Sequence, residues 1–430
     1  MSTSVQSRPN SRSGGIVGQA GILALGRLGA AGLQAVSFVI LAREAGPDVF
    51  GLFAAVYGVA LVFQSVATLG LGQFVVSRRA TASQEGSPRL GGADQDDVLL
   101  ALKMNWAATA VSSGVVGCVL VFAVTRDGEH QLLLVTSILL LWAIVDNYAE
   151  CWLSVSLADG RVWQNSVLYV LRRALAVLVL VVGVLTGGNP ATLTAAGLLF
   201  GSLCAAILAR RLNMQSLSSS FGFAWSARVM RLSVGYWMNS VLLQLRNLDV
   251  AVYGLAGASP QAVGAYAAAS RLTSPLRILP TSFATVLMPH AARSGMTHTR
   301  NLARAVVFIS LISSALFGIV IVLTPWVTEH VLGSEYKSAT LPIQIVCVSL
   351  IFAAIASQLN AVLLGWRRSG LAALVASVST AVCFGGLLIA SAGGGGAVAG
   401  ATALAISYVV QLILLLLVTT TVARRGKRFR

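Results

Sequence analysis

Long apolar runs follow one another along the chain, separated by short polar gaps. Each is close to the ~20 residues an α-helix needs to cross the hydrocarbon of a bilayer. The pattern predicts helices over 16–41, 50–76, 99–124, 131–156, 166–187 and 191–209. After a polar segment it predicts six more, over 232–256, 263–289, 303–324, 341–365, 370–391 and 397–422. The expected fold is all-α and polytopic, with about twelve transmembrane helices in two blocks of six around a central cavity. The N-terminal block is 16–209 and the C-terminal block 232–422. A cytoplasmic linker at 210–231 joins them, a disordered tail occupies 1–15 and a basic tail 423–430. The first apolar run is too long for the ~7–15-residue core of a cleavable signal.

Composition strengthens this picture. The chain is 56% hydrophobic and only 10% charged, against about 25% charged in soluble proteins. A net charge of +16 could suggest nucleic acid, but the basic residues cluster at helix ends and not on one face. Arg78, Arg79, Arg210, Arg211, Arg367, Arg368 and the run Arg424–Arg430 fall on one side, whereas the loops of the other side carry only Arg43, Arg126 and Lys337. Basic loops stay in the cytoplasm, so both termini are expected there.

Little points to catalysis. Cys118, Cys151, Cys204, Cys347 and Cys383 lie inside apolar runs and read as small core residues. The four histidines have no metal-ligand spacing, so no metal is expected. Gly393–Gly396 is an outer turn with no following Lys-Ser/Thr, so no nucleotide site is visible and no cofactor is implied; coupling would fall to a proton or sodium gradient, or to the substrate gradient. A weak repeat relates Gly46–Ala55, leading into the second helix, to Gly257–Ala268, leading into the eighth.

The informative residues are the charges at apparent membrane depth: Arg27, Asp146, Glu150, Arg172, Arg173, Arg246, Asp249, Arg271 and Arg277. Such groups usually face a bundle interior or a wet cavity. Arginines dominate, which suits an anionic substrate. Arg27 lies roughly 16 Å into the first helix, at 1.5 Å per residue, near mid-membrane. Asp146 and Glu150 share one face of the fourth helix. Their mutual repulsion would favour holding a proton or small cation, or they pair with Arg172 and Arg173 on the next helix. In the seventh helix Asn239, Arg246, Asp249 and Tyr253 fall within an arc of roughly 80° at 100° per residue. They either line a cavity or contain a local Arg246–Asp249 pair. The eighth helix carries Arg271 and Arg277 with Pro275 and Pro280; it is either a moving wall or a structural kink.

The run Leu41-Ala-Arg-Glu-Ala-Gly46-Pro-Asp-Val-Phe-Gly51-Leu-Phe-Ala, followed by Leu69-Gly70-Leu-Gly-Gln, resembles the start of bacterial polysaccharide and O-antigen flippases. These belong to the MATE-like multidrug/oligosaccharidyl-lipid/polysaccharide superfamily. Asp249, Gly254, Val263-Gly264-Ala-Tyr266-Ala and Pro289 resemble its seventh and eighth helices. The resemblance implies two six-helix lobes in a V. It also implies alternating access that carries an undecaprenyl-pyrophosphate-linked oligosaccharide across the bacterial inner membrane. Polysaccharide polymerase and glycosyltransferases of the same pathway would be partners. Arg27, Arg246, Arg271 and Arg277, with Asn239 and Tyr253, would then bind substrate, because arginine forks suit pyrophosphate. Asp146, Glu150 and Asp249 would couple an ion or balance charge. A drug/cation antiporter of the same fold needs a cavity dominated by carboxylates, which are outnumbered here. A membrane polymerase or ligase needs a large outer loop, and the outer loops are short.

Overall fold

The computed structural model describes residues 13–72, 74–75, 92–125, 131–159, 161–214, 226–278, 280–284, 287, 291, 299–366 and 368–428. Helix α1 (Ser13–Ala67) is followed by α2 (Gly92–Thr125), α3 (Gln131–Ala158), α4 (Val162–Leu185), α5 (Pro190–Met214) and α6 (Ala227–Gln244). Then come a 3-10 turn (Leu245–Leu248), α7 (Asp249–Leu255), α8 (Pro260–Leu272), a second 3-10 turn (Ser274–Arg277) and α9 (Thr299–Trp326). A π-helical turn (Val327–Leu332) and a 3-10 turn (Ser334–Ala339) lead into α10 (Thr340–Gly365), α11 (Ser369–Ala392) and α12 (Gly396–Arg428). Among the described residues there is no strand, and nine helices are long and apolar enough to cross a membrane. The chain is therefore a multi-pass membrane protein.

The pattern of hydrophobic runs gave a larger number for two reasons. Helix α1 covers two expected spans, because the expected outer turn is reduced to one non-helical residue, Gly46, with φ 74° and ψ 170°. A residue with a Cβ resists that conformation, and Pro47 after it lacks an N–H to continue the helical ladder. The seventh and eighth expected spans are interrupted, by the 3-10 turns at 245–248 and 274–277.

Several boundaries also differ. The second span does not run on to residue 76 unbroken: α1 stops at Ala67, and Leu69 and Gly70 take positive φ. Residues 92–98 and 210–214, expected as loop or linker, are helical, and the helix α12 carries the basic tail through Arg428. In each case polar residues prolong an apolar helix beyond the hydrocarbon, where backbone hydrogen bonding persists without apolar burial. Ser13–Gly15 of the expected disordered tail are helical; residues 1–12 and the middle of the linker, 215–225, lie outside the described residues.

Packing between helices is close because glycines remove the side chains. Lipid offers helices no hydrophobic reason to associate, so van der Waals approach and hydrogen bonds must supply it. A Cβ on Gly26 would stand 2.5 Å from the Ser166 Cβ of α4, and one on Gly58 only 2.1 Å from the Asn247 carbonyl oxygen. A Cβ on Gly51 would stand 2.9 Å from the Gly264 nitrogen. The two segments related by the weak repeat therefore meet, glycine to glycine. Aromatic rings fill the space beside this contact: Tyr57 stacks on Trp142 at 5.1 Å, and Phe38 meets Tyr57 edge-on at 5.3 Å. At the Gly46 end, buried Tyr336 packs edge-on against Phe50 and donates a hydrogen bond to the Ala42 carbonyl at 3.2 Å.

Candidate functional site

The deep charges form two separate clusters. In the first, α3 supplies Asp146 and Glu150, one helical turn apart, and α4 brings Arg172 between them. The guanidinium donates to Asp146 Oδ1 at 3.1 Å and to Glu150 Oε1 at 2.6 Å. Ser202 Oγ (2.6 Å) and Gln64 Nε2 (2.8 Å) donate to Asp146, and the Tyr169 hydroxyl donates to Glu150. Of the two readings open for these carboxylates, the arrangement is the ion pair, and Arg172 alone makes both bonds. Arg173 instead lies 5.8 Å from the Trp142 ring centroid. Arg27, partly exposed, sits 5.9 Å from the Tyr169 ring centroid, beside the same cluster.

In the second cluster Asp249 opens α7. Its carboxylate accepts from Arg271 at 3.1 Å, Ser270 at 2.7 Å and Tyr266 at 3.0 Å. The local Arg246–Asp249 pair is therefore replaced by one between α7 and α8. Arg271 also donates to the Asn247 carbonyl at 2.6 Å and is buried. Tyr253 does not line a cavity. It is buried against Tyr266, and its hydroxyl donates to the Gly396 carbonyl at 2.6 Å. The reason is local: the 3-10 turn winds at about 120° per residue, not 100°, so four residues move the face by roughly 80°. The Asn239 side chain lies outside the described residues.

Arg246 is buried too, but its partners are neutral. It donates to Gln411 Oε1 at 2.9 Å and Ser379 Oγ at 2.7 Å, and its guanidinium lies 4.6 Å from the Tyr408 ring centroid. Arg277 approaches the same ring at 5.8 Å. Both arginines line a cavity of about 360 Å³ with Gln244, Asn360, Thr380 and Gln411, and no carboxylate is among its lining residues. A smaller space of about 20 Å³, enough for one water, lies between this cavity's arginines and the Asp249–Arg271 pair. Acidic residues are scarce throughout this region: after Asp249 only Glu329 and Glu335 occur, outside the long helices. Glu329 pairs with Lys337 at 3.2 Å. Arg27 is not among this cavity's lining residues, so Arg27 and Arg246, both expected to bind the substrate, belong to different clusters.

The proline kink keeps its backbone satisfied. Pro275 cannot donate to the Arg271 carbonyl, and Ser274 Oγ does so instead at 2.7 Å; Gln358 Nε2 caps the Pro280 carbonyl at 2.7 Å. The Ser274 bond meets the requirement that a carbonyl freed by proline at membrane depth find a protein partner. Tyr408, Gln411 and Asn360 were missed as site residues. A polar pair three apart in an otherwise apolar run (Tyr408, Gln411) was the available signal.

The fold is MATE-like. A crystal structure titled as MATE in complex with MaL6 superposes with a TM-score of 0.72 at 13% identity, covering 95% of this chain and 97% of that one. A MOP superfamily transporter from Pyrococcus furiosus, whose title reports reversed polarity of its binding pocket, gives 0.69 at 14% identity, covering 95% and 96%. The lipid II flippase MurJ in an inward closed conformation gives 0.68 at 13% identity, covering 93% and 87%. No curated protein sequence matches. The model of the polysaccharide biosynthesis protein family matches residues 16–295, and the chain belongs to that family.

Proposed function

We propose that the protein is a flippase that carries an undecaprenyl-pyrophosphate-linked oligosaccharide from the inner to the outer leaflet of the bacterial inner membrane. It would have twelve spans in two lobes and both termini in the cytoplasm. The reading rests on one observation: Arg246 and Arg277 line a single cavity with no carboxylate among its described lining residues. Two guanidiniums lining a cavity with polar neutral groups offer a pyrophosphate charge-assisted hydrogen bonds, and a buried cation that makes no ion pair among the described residues, such as Arg246, attracts an anion. Gln244, Asn360 and Gln411 would orient the first sugars. Membership of a polysaccharide biosynthesis family supports a glycan cargo, and polymerase and glycosyltransferases of that pathway would act with it.

Asp146, Glu150 and Asp249 balance charge in this reading, because each already holds an arginine. A coupling proton or sodium ion would have to displace a guanidinium. The carboxylate-free wall also disfavours a cationic drug as cargo, and transport rather than catalysis accounts for the site.

The test is glycan export in cells lacking the native gene. Arg246→Gln and Arg277→Gln, at wild-type membrane levels, should each cut export at least about tenfold, as expected for loss of one charge-assisted contact of ~1.5–3 kcal/mol. Lipid-linked units should accumulate on the cytoplasmic leaflet. Wild-type export from both variants would sink the assignment, and unpolymerised units on the outer leaflet would favour an enzyme instead.

A further inference from the structure

Helix α10 is a partition. Ala353, Ser357, Asn360 and Leu364 face the arginine cavity, while Ile355, Leu359 and Val362 face away from it into a second space of about 530 Å³. Helices α9 and α12 both pack on α10 and form the walls of this slot. Val307, Leu311 and Leu416 in the walls are exposed, at 59%, 65% and 44%. Three hydroxyls in the walls donate within their own helices: Ser310 to the Val306 carbonyl at 2.6 Å, Thr420 to Leu416 at 2.8 Å, and Thr419 to Leu415. The slot is thus a largely hydrocarbon-lined trough in which these three hydroxyls are bonded within their own helices.

One end of the trough is strongly basic. Arg304 follows the lining residue Ala303 on α9, Arg424 follows Ala423 on α12, and Arg368 lies two positions beyond Trp366 at the end of α10. All three arginines are exposed. Three segments therefore place an exposed arginine within two residues of a lining residue at this end. The nearest acids in sequence, Glu329 and Glu335, lie beyond the opposite end of α9, roughly 37 Å away at 1.5 Å per residue. An apolar trough with a cationic mouth is complementary to a molecule with a long hydrocarbon chain and a negative headgroup.

We propose that this trough is a binding site for one anionic phospholipid of the surrounding bilayer, its acyl chain against Leu359 and Leu311 and its phosphate at Arg304 and Arg424. A bilayer lipid enters sideways from the membrane. The chain of a cargo held at Arg246 and Arg277 would have to pass around α10 to reach the trough, so the cargo's own tail is not its occupant. Bound there, the phospholipid buttresses the outer face of the helix whose inner face lines the arginine cavity.

The experiment is native mass spectrometry of the full-length protein released from vesicles of phosphatidylglycerol and phosphatidylcholine with matched chains. One phosphatidylglycerol should remain bound under activation that strips phosphatidylcholine. The double variant Arg304→Gln/Arg424→Gln should reduce its retention by roughly tenfold or more, since each basic residue near a headgroup is worth about 1 kcal/mol. Leu311→Trp, which fills the trough from an exposed position, should do the same. Arg161→Gln, exposed elsewhere, should not. Equal retention of the two lipids, or unchanged retention in the double variant, overturns the proposal. So does displacement of phosphatidylglycerol by an equimolar polyprenyl phosphate, which would make the trough a site for the cargo's tail.

Discussion

Arg271 and Arg246 line one small space together, yet they have different electrostatic situations. Arg271 and Asp249 are both buried and mutually paired. Removing one partner of such a pair strands the other charge, at a cost of ~3–5 kcal/mol, whereas removing both is far milder. Asp249→Asn and Arg271→Met should therefore each lower the thermal stability of detergent-purified protein sharply, and the double variant should recover much of the loss. Additive losses would show that the two side chains act independently. Among the described residues Arg246 has only neutral hydrogen-bond partners, so Arg246→Gln should change melting temperature little while cutting export at least about tenfold. Charges at depth were legible in the sequence because an arginine in an apolar run is conspicuous. Their partners were not: Arg271 is 22 residues from Asp249, and no spacing rule joins a residue of α7 to one of α8.

At the scale of elements, glycines decide which helices can touch. Gly58 faces the Asn247 carbonyl so closely that any side chain there must push α1 off the 3-10 turn carrying Arg246. Gly58→Leu should reduce folded yield and export together. Gly114 in α2 has nothing near it, so Gly114→Ala should be neutral or stabilising by up to ~1 kcal/mol, from helix propensity alone. Size-exclusion profiles and melting curves of the two variants make the comparison. Hydrophobic periodicity located most helices correctly, because span length is set by the bilayer. It misplaced the ends, and it could not foresee the 3-10 turn that swings Tyr253 into the core. Backbone winding in a uniformly apolar run leaves no trace in composition.

At the scale of the whole molecule, Tyr336 bridges the turn before α10 to α1 at the Gly46 end. If transport needs this end to open, fixing the contact stops it. Ala42→Cys/Tyr336→Cys joined by a short bifunctional thiol reagent should lose export, and a cleavable reagent should restore it on reduction. Undiminished export from fully cross-linked protein would show that the contact never parts. The general class, a bundle of membrane helices with a cationic interior, followed from the chain alone. The division of the arginines into two clusters did not, because it depends on how helices distant in sequence are arranged around one another.

The meeting of Gly51 with Gly264 has a mechanical consequence. Helices that interlock through side chains resist sliding, since each knob must climb out of its hole. Here two backbones touch with no side chain between them, and the contact behaves as a plain bearing: it carries load across the interface while offering little friction along it. A side chain at either glycine would act as a tooth. A Cβ at Gly264 would stand 2.1 Å from the Pro47 carbonyl oxygen, so Gly264→Ala should lower folded yield and, in the protein that folds, slow turnover more than it weakens cargo binding, a separation that equilibrium binding and single-cycle transport measured on the same preparation can resolve.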